Sequence, residues 1–317
     1  MSIAVIGCGY WGKNLIRNFY ELGELSAVSD SDKLLAKEFS EKYKVPSLTF
    51  EEVLNSSVRG VVIAAPAKYH AKLTIDALEA NKHVYVEKPL AMNKKEADEM
   101  IKKSNKKGMH LMIGHLLQYH PVFKKLKEMN EKKDFGDIQY IYSNRFSFGK
   151  IRSEENVIWS FAPHDISMIL SLTNSPIKKI ETKKTVLHQK GIPDLATIFL
   201  EFESGVKGHV SCSWINPIKE QKLVLIGSKA SAIFDDTVEW NKKLMVFPQK
   251  VNSKKIPPET IKKDPEYVEV LEKEPLKEEC KYFIDLIDDK VAGLTTGEEG
   301  KKVLEVLEAS EELKLSK

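Results

Sequence analysis

The tightest constraint on this chain lies at its N-terminus. Ser2-Ile3-Ala4-Val5-Ile6 predicts a short buried strand, Gly7-Cys8-Gly9-Tyr10-Trp11-Gly12 follows at once, and a helical spacing runs on through Asn14, Leu15, Ile16, Phe19 and Leu22. In such a strand–turn–helix unit glycine is needed where the turn is tight, where backbone approaches a pyrophosphate and where helix meets strand. The phosphates then face the positive end of the helix. A second strand, Leu25 to Ser29, ends in Asp30, eighteen residues after Gly12 and near the spacing of a ribose-binding acid. Gly7, Gly9, Tyr10, Trp11, Gly12, Asp30 and Ser31 are therefore candidate cofactor contacts. The Asp30 carboxylate suits the two ribose hydroxyls and repels a 2′-phosphate, which favours NAD over NADP. The other role open to Asp30 is a cap for a helix over Leu34 to Tyr43, and the two can coexist.

Strand and helix continue to alternate: Gly60 to Ala64, Tyr69 to Asn81, His83 to Val86, Lys94 to Lys107 and His110 to Gly114. Alternation of this kind predicts a parallel sheet whose strand ends carry the ligand. Two strand ends then matter. Ala65, Pro66 and His70 follow one, with His70 either touching cofactor or bracing the turn. Glu87-Lys88-Pro89 ends the other, delivering Glu87 and Lys88 to the rim before a proline that stops the ladder. The plain alternative is a surface Glu-Lys pair before a loop. Residues 1–120 are expected to form this nucleotide-binding domain and 121–317 a second one.

From Asp137 the pattern changes to longer β-like runs: Ile138 to Phe148, Ile177 to Leu187, Leu195 to Glu203, Val206 to Trp214, Lys222 to Ile226 and Ala230 to Asp235. They predict a mostly antiparallel sheet with apolar and aromatic residues on both parities, Tyr140, Tyr142, Phe146 and Phe148 among them. Helices can cover one face and a second subunit the other. After the first of these runs, Asn156 to Ile166 leads into an apolar helix, with His164 expected at the helix start. Imidazole titrates near neutrality and can take the proton of an alcohol as hydride leaves carbon; alternatively His164 packs beside Trp159. Asp165 can orient it or cap the helix. Asn144, Arg145, Lys150, Arg152 and Asn156 form a basic and amide-rich set, and arginine forks match phosphate or carboxylate; surface salt bridges are the alternative. Pro248 to Pro275 reads as a surface excursion, and Glu278 to Asp288 and Glu298 to Leu313 as closing helices.

A balance of 49 basic and 46 acidic residues gives a net charge of +3, no general reason to bind nucleic acid or a membrane surface. Cys8, Cys212 and Cys280 lie far apart, so neither a disulfide framework nor a metal site is indicated. With no secretory leader and no membrane-length apolar run, a cytoplasmic protein is expected.

Taken together, the glycine turn, the Glu87-Lys88-Pro89 strand end and His164 resemble the Gfo/Idh/MocA family over nearly the whole chain. The resemblance implies a Rossmann domain followed by an open-faced antiparallel-sheet domain covered by helices on one face, and a homodimer or homotetramer formed through that sheet. It implies oxidation of a secondary hydroxyl by hydride transfer to nicotinamide, with Lys88 and His164 catalytic. The set Tyr119, Arg145, Arg152, Asn156 and Trp159 is similar to the substrate residues of the branch that oxidises C3 of UDP-N-acetylglucosamine or its uronate. Where many members carry Asp four residues before or three after this histidine, Ser160 and Ser167 stand, which shifts weight to Lys88. A free sugar or polyol such as inositol, and a non-catalytic sensor, are the alternatives.

Overall fold

The computed structural model describes residues 2–149, 151–153, 155–248, 250–252, 255–261 and 263–312. Lys150 and Leu313 fall outside the described residues. The chain divides into two compact units, residues 1–119 with 273–305, and residues 120–272 with 306–317.

In the first unit five strands, β1 (Ile3–Ile6), β2 (Leu25–Ser29), β3 (Gly60–Ile63), β4 (His83–Glu87) and β5 (Leu111–Gly114), form a sheet of order β2-β1-β3-β4-β5. All pairs are parallel. The short runs Ile-Ala-Val-Ile and Gly-Val-Val-Ile are buried along their whole length, as strands covered on both faces must be. The crossovers carry helices α1 (Gly12–Glu21), α2 (Lys33–Tyr43), α3 (Phe50–Asn55), α4 (His70–Glu79) and α5 (Lys94–Lys107). Their ends are written in the sequence. Asp32, and not Asp30, caps α2 through the amides of Leu34 and Leu35, Thr49 and Glu52 form a capping box on α3, and Gly108 closes α5 in the left-handed region.

The second unit opens with α6 (Pro121–Glu131), β6 (Ile138–Phe148) and α7 (Val157–Thr173). The strands β7 (Ile177–Thr185), β8 (Leu195–Phe202), β9 (Lys207–Ser213), β10 (Ile215–Gly227), β11 (Ser231–Asp235) and β12 (Leu244–Phe247) follow, then a hairpin of β13 (Lys250–Asn252) and β14 (Glu259–Ile261), and β15 (Glu266–Tyr267). Among the described residues the main sheet runs β15-β12-β11-β10-β6-β9-β8-β7. It is antiparallel except where β6 meets β9. The excursion read after Pro248 thus contributes a hairpin and an edge strand.

Along β6, β8 and β9 residues alternate. Ile141, Ser143, Ala196, Ile198, Val210 and Cys212 are buried, and α7 packs on these strands. The other face carries Tyr140, whose hydroxyl lies 2.8 Å from His209 Nδ1, Tyr142 stacked on that imidazole at 5.0 Å, and an exposed Phe199. The aromatics Tyr140, Tyr142, Phe146 and Phe148 share one parity, so they crowd one face and do not serve both.

The change of pattern predicts that everything after residue 120 belongs to the second domain, yet α8 (Pro275–Ile287) packs in the first unit. The cause is its apolar stripe, Leu276, Cys280, Phe283, Leu286 and Ile287. Phe283 meets Phe19 edge-on at 6.5 Å and Tyr85 at 5.7 Å. Helix α9 (Gly297–Glu312) contributes residues to both units.

Candidate active site

Gly7 sits at φ +99, where a side chain is strained, and a Cβ there would lie 2.7 Å from the carbonyl of Ala64. A Cβ on Gly12 would fall 1.9 Å from the carbonyl oxygen of Gly7, so the helix can start against the turn only with glycine. At Gly9 a Cβ would meet open space. Tight backbone below and open space above is the cradle a pyrophosphate needs, and the residues present fit a dinucleotide. Asp30 closes the turn from the neighbouring strand: one carboxylate oxygen accepts from the Cys8 amide at 2.6 Å, the other from the Asp32 amide at 2.9 Å. Ser31 lies beside it, its hydroxyl 3.4 Å from the same carboxylate. Burial, with the Asp30 charge adding to it, pushes the Cys8 thiol up to about 12, so it stays a thiol. Tyr10 is 86% exposed, with the Lys13 ammonium 5.2 Å from its ring.

On the same rim, Trp11 donates from its indole nitrogen to Glu87 Oε1 at 2.6 Å, tying the glycine turn to the end of β4. Tyr85 donates to the same oxygen at 3.2 Å and the Lys88 amide to Oε2 at 3.3 Å. Glu87 is buried while Lys88, next along, is half-buried. The bond from Lys88 to Pro89 is cis. His70 braces this corner: its ring nitrogens lie 2.7 Å from the Pro89 carbonyl and 2.8 Å from the Ala65 carbonyl. Both nitrogens are thus committed to backbone, and Ala65 and Pro66 begin the turn that they hold. Tyr119 is fully buried, its hydroxyl 2.6 Å from Thr295 Oγ1, which in turn donates to the Ile113 carbonyl at 2.7 Å. A substrate contact does not fit so enclosed a ring.

In the second unit α7 begins at Val157, capped by Asn156 through the amides of Ile158 and Trp159. His164 is therefore in mid-helix and not at its start, directly after Pro163, which cannot donate to the carbonyl of Trp159. Ser160 and Ser167, one turn to either side, share its face and are buried. Asp165 points elsewhere. It is fully buried and accepts hydrogen bonds from Ser143 and from the guanidinium of Arg145. The fork read as a phosphate clamp is thus engaged by a carboxylate one residue from the histidine. Arg152 pairs with Glu155 at 2.7 Å, and Asn144 donates to Glu220 at 2.6 Å. Trp159 donates from its indole to Glu311 Oε1 at 2.9 Å, and the Asn156 amide reaches the same oxygen.

Glu311, which takes the Trp159 indole, and the buried Glu279 of α8 stand in no motif of the sequence. For Glu279 a signal existed: it is the one carboxyl on the buried stripe of an amphipathic helix.

A model described as an oxidoreductase family with an NAD-binding Rossmann fold matches residues 1–115, and a Gfo/Idh/MocA C-terminal domain model matches residues 123–233. The chain is 26% identical over 215 residues to the UDP-N-acetylglucosamine 3-dehydrogenase of Acidithiobacillus ferrooxidans, covering 67% of each protein. The solved structure of that protein superposes with a TM-score of 0.87 at 21% identity, covering 98% of this chain and 96% of the other. The myo-inositol 2-dehydrogenase of Thermotoga maritima is 28% identical over 257 residues, 75% of this chain and 76% of its own. GenD2 of gentamicin A biosynthesis, solved with NAD, shares the fold at a TM-score of 0.81 and 18% identity, covering 98% of this chain and 93% of its own.

Proposed function

Because this chain belongs to the Gfo/Idh/MocA family of NAD-binding oxidoreductases, we propose that it oxidises a secondary hydroxyl of a nucleotide sugar, C3 of UDP-N-acetylglucosamine or its uronate, using NAD. The observation that carries the reaction type is Lys88 at the carboxyl end of β4, beside a Glu87 that holds the glycine turn. When bound, the nicotinamide supplies the hydride acceptor. Lys88 donates a hydrogen bond to the reacting hydroxyl and stabilises the negative charge that grows on its oxygen. The hydride leaves carbon, the hydroxyl proton leaves to His164 or to Lys88, and a ketone remains. Asp30, an anion at the end of the second strand, favours an unphosphorylated ribose and so NAD. The aromatic open face of the second unit supports a homo-oligomer in which a second copy covers it. The setting is the cytoplasm.

A second reading, a free sugar or polyol such as inositol, is favoured by one observation: Arg145 and Arg152 each already hold a carboxylate. The test is to supply NAD with UDP-N-acetylglucosamine, its uronate, free N-acetylglucosamine and myo-inositol, and to follow reduced nicotinamide. Turnover confined to the UDP-sugars, and lost in Lys88→Ala, supports the first reading. Turnover confined to inositol or the free sugar moves the assignment to the second, and NAD binding with a silent panel removes both.

A further inference from the structure

Glu279 is fully buried, and neither of its carboxyl oxygens meets a partner at hydrogen-bonding geometry. One helical turn on, Phe283 rests edge-on against Tyr85 at 5.7 Å, which places Glu279 over the same tyrosine. The Tyr85 hydroxyl donates to Glu87 Oε1 at 3.2 Å, and burial first, with the Glu279 charge second, pushes the phenol up. The groups facing Glu279 are Tyr85 and Glu87 from β4, Tyr119 from the segment after β5, and Cys280 on its own helix. None of these brings a positive charge.

Two buried carboxyls that share a tyrosine cannot both ionise cheaply. Burial pushes Glu87 up as well, but the Trp11 donor, the Lys88 charge, the Tyr85 hydroxyl and the Lys88 amide all work against it and favour its anion. Glu279 has none of them to itself, so the proton stays with Glu279. Burial first, and the Glu87 charge second, push its pKa well above the ordinary carboxylate range.

We propose that Glu279 is a positioning residue, the protonated end of a buried chain in which its O–H donates to Tyr85, Tyr85 donates to Glu87, and Glu87 as an anion holds Trp11 and the glycine turn for the dinucleotide. The effect on the turn stands without the sugar chemistry. Its extension to Lys88 rests on the proposed reaction.

The test uses the full chain, with Glu279→Gln as a neutral donor of similar shape and Glu279→Leu as an apolar replacement. Wild type at neutral pH should show an infrared band of a protonated carboxyl that Glu279→Gln lacks. NADH binding, followed by nicotinamide fluorescence, should stay within about twofold in Glu279→Gln and weaken about tenfold in Glu279→Leu, as for one lost hydrogen bond to a charged group. Wild-type affinity should fall toward alkaline pH as Glu279 loses its proton, and this slope should vanish in Glu279→Gln. Absence of the band, or Glu279→Gln binding as weakly as Glu279→Leu, overturns the proposal. Should Glu279→Leu not fold, the band and the pH slope still decide it. These readouts need no substrate, so a silent sugar panel sinks the reaction without touching this inference.

Discussion

Arg145 lays its guanidinium on Asp165, Nε toward Oδ2 and Nη2 3.4 Å from Oδ1, with side chains 14% and 1% exposed. A pair so enclosed balances only while both charges are present, because either one alone is a buried ion without a counter-charge. Arg145→Ala should therefore destabilise the second unit by about 3–5 kcal/mol, and the double change Arg145→Leu with Asp165→Leu should recover most of it. Urea unfolding reads both. An Arg145→Ala protein that unfolds at the wild-type midpoint but binds UDP-sugar poorly would show the fork serving substrate and not structure.

Lys88 is the side chain on which the proposed chemistry turns. Lys88→Met should lower kcat by roughly 10²–10⁴-fold, the usual worth of a positioned proton-transfer or charge-stabilising group. NADH affinity should change little. The pH profile of oxidation by His164→Asn then separates two roles: an acid limb that disappears assigns the proton to the imidazole, and one that persists assigns it to Lys88.

Asp30 holds the amide of Cys8 at 2.6 Å as well as standing where the ribose is expected. Asp30→Ser should raise the KM for NAD by about 10- to 100-fold, through loss of bonds to a charged acceptor worth about 1.5–3 kcal/mol. Activity with NADP should rise or hold. Loss of both cofactors in parallel would mean that Asp30 only shapes the turn.

The first unit was legible because its signals are local. Glycine positions and short apolar strands each follow from a few neighbouring residues, whereas the cap of α2 falls to Asp32 and not to Asp30. What escaped depends on pairing across sequence. Nothing near Arg145 announces that Asp165, 20 positions on, will take its fork. The mid-helix place of His164 was hidden by Pro163, which reads as a helix start although the cap at Asn156 sets the beginning two turns earlier. Residues 273–305 return to the first unit through the stripe around Phe283, a periodicity that gives a helix but not the sheet it will cover.

Gly114 ends β5 opposite Glu87 in the ladder, and a Cβ there would lie 2.9 Å from the Glu87 carboxyl atoms. Gly114→Ala should push that carboxylate aside and break its hydrogen bond from Trp11. Overpacking of this kind costs about 1–3 kcal/mol. The expected signature is weaker NADH binding accompanied by altered tryptophan fluorescence, with the second unit unchanged. Normal binding would show that the turn does not depend on where Glu87 sits.

His120 Nε2 lies 3.3 Å from Asp236, its Nδ1 accepts the Val122 amide at the start of α6, and its ring stacks on Trp240 at 5.3 Å. Burial works against the charge on Asp236, but hydrogen bonds from His120 and Lys243, and the Lys243 charge, hold it down to about 2. A carboxyl depressed in the folded state binds its proton more readily when unfolded. Its contribution is present above the unfolded value near 3.8 and is lost as pH falls through about 2. Somewhat under two pH units corresponds to about 2 kcal/mol. Wild type should lose this on acidification from pH about 5 downward, whereas Asp236→Asn should start less stable and show a flatter acid slope. Equal slopes in urea melts across that range would mean that the carboxylate is not what holds α6 to the sheet.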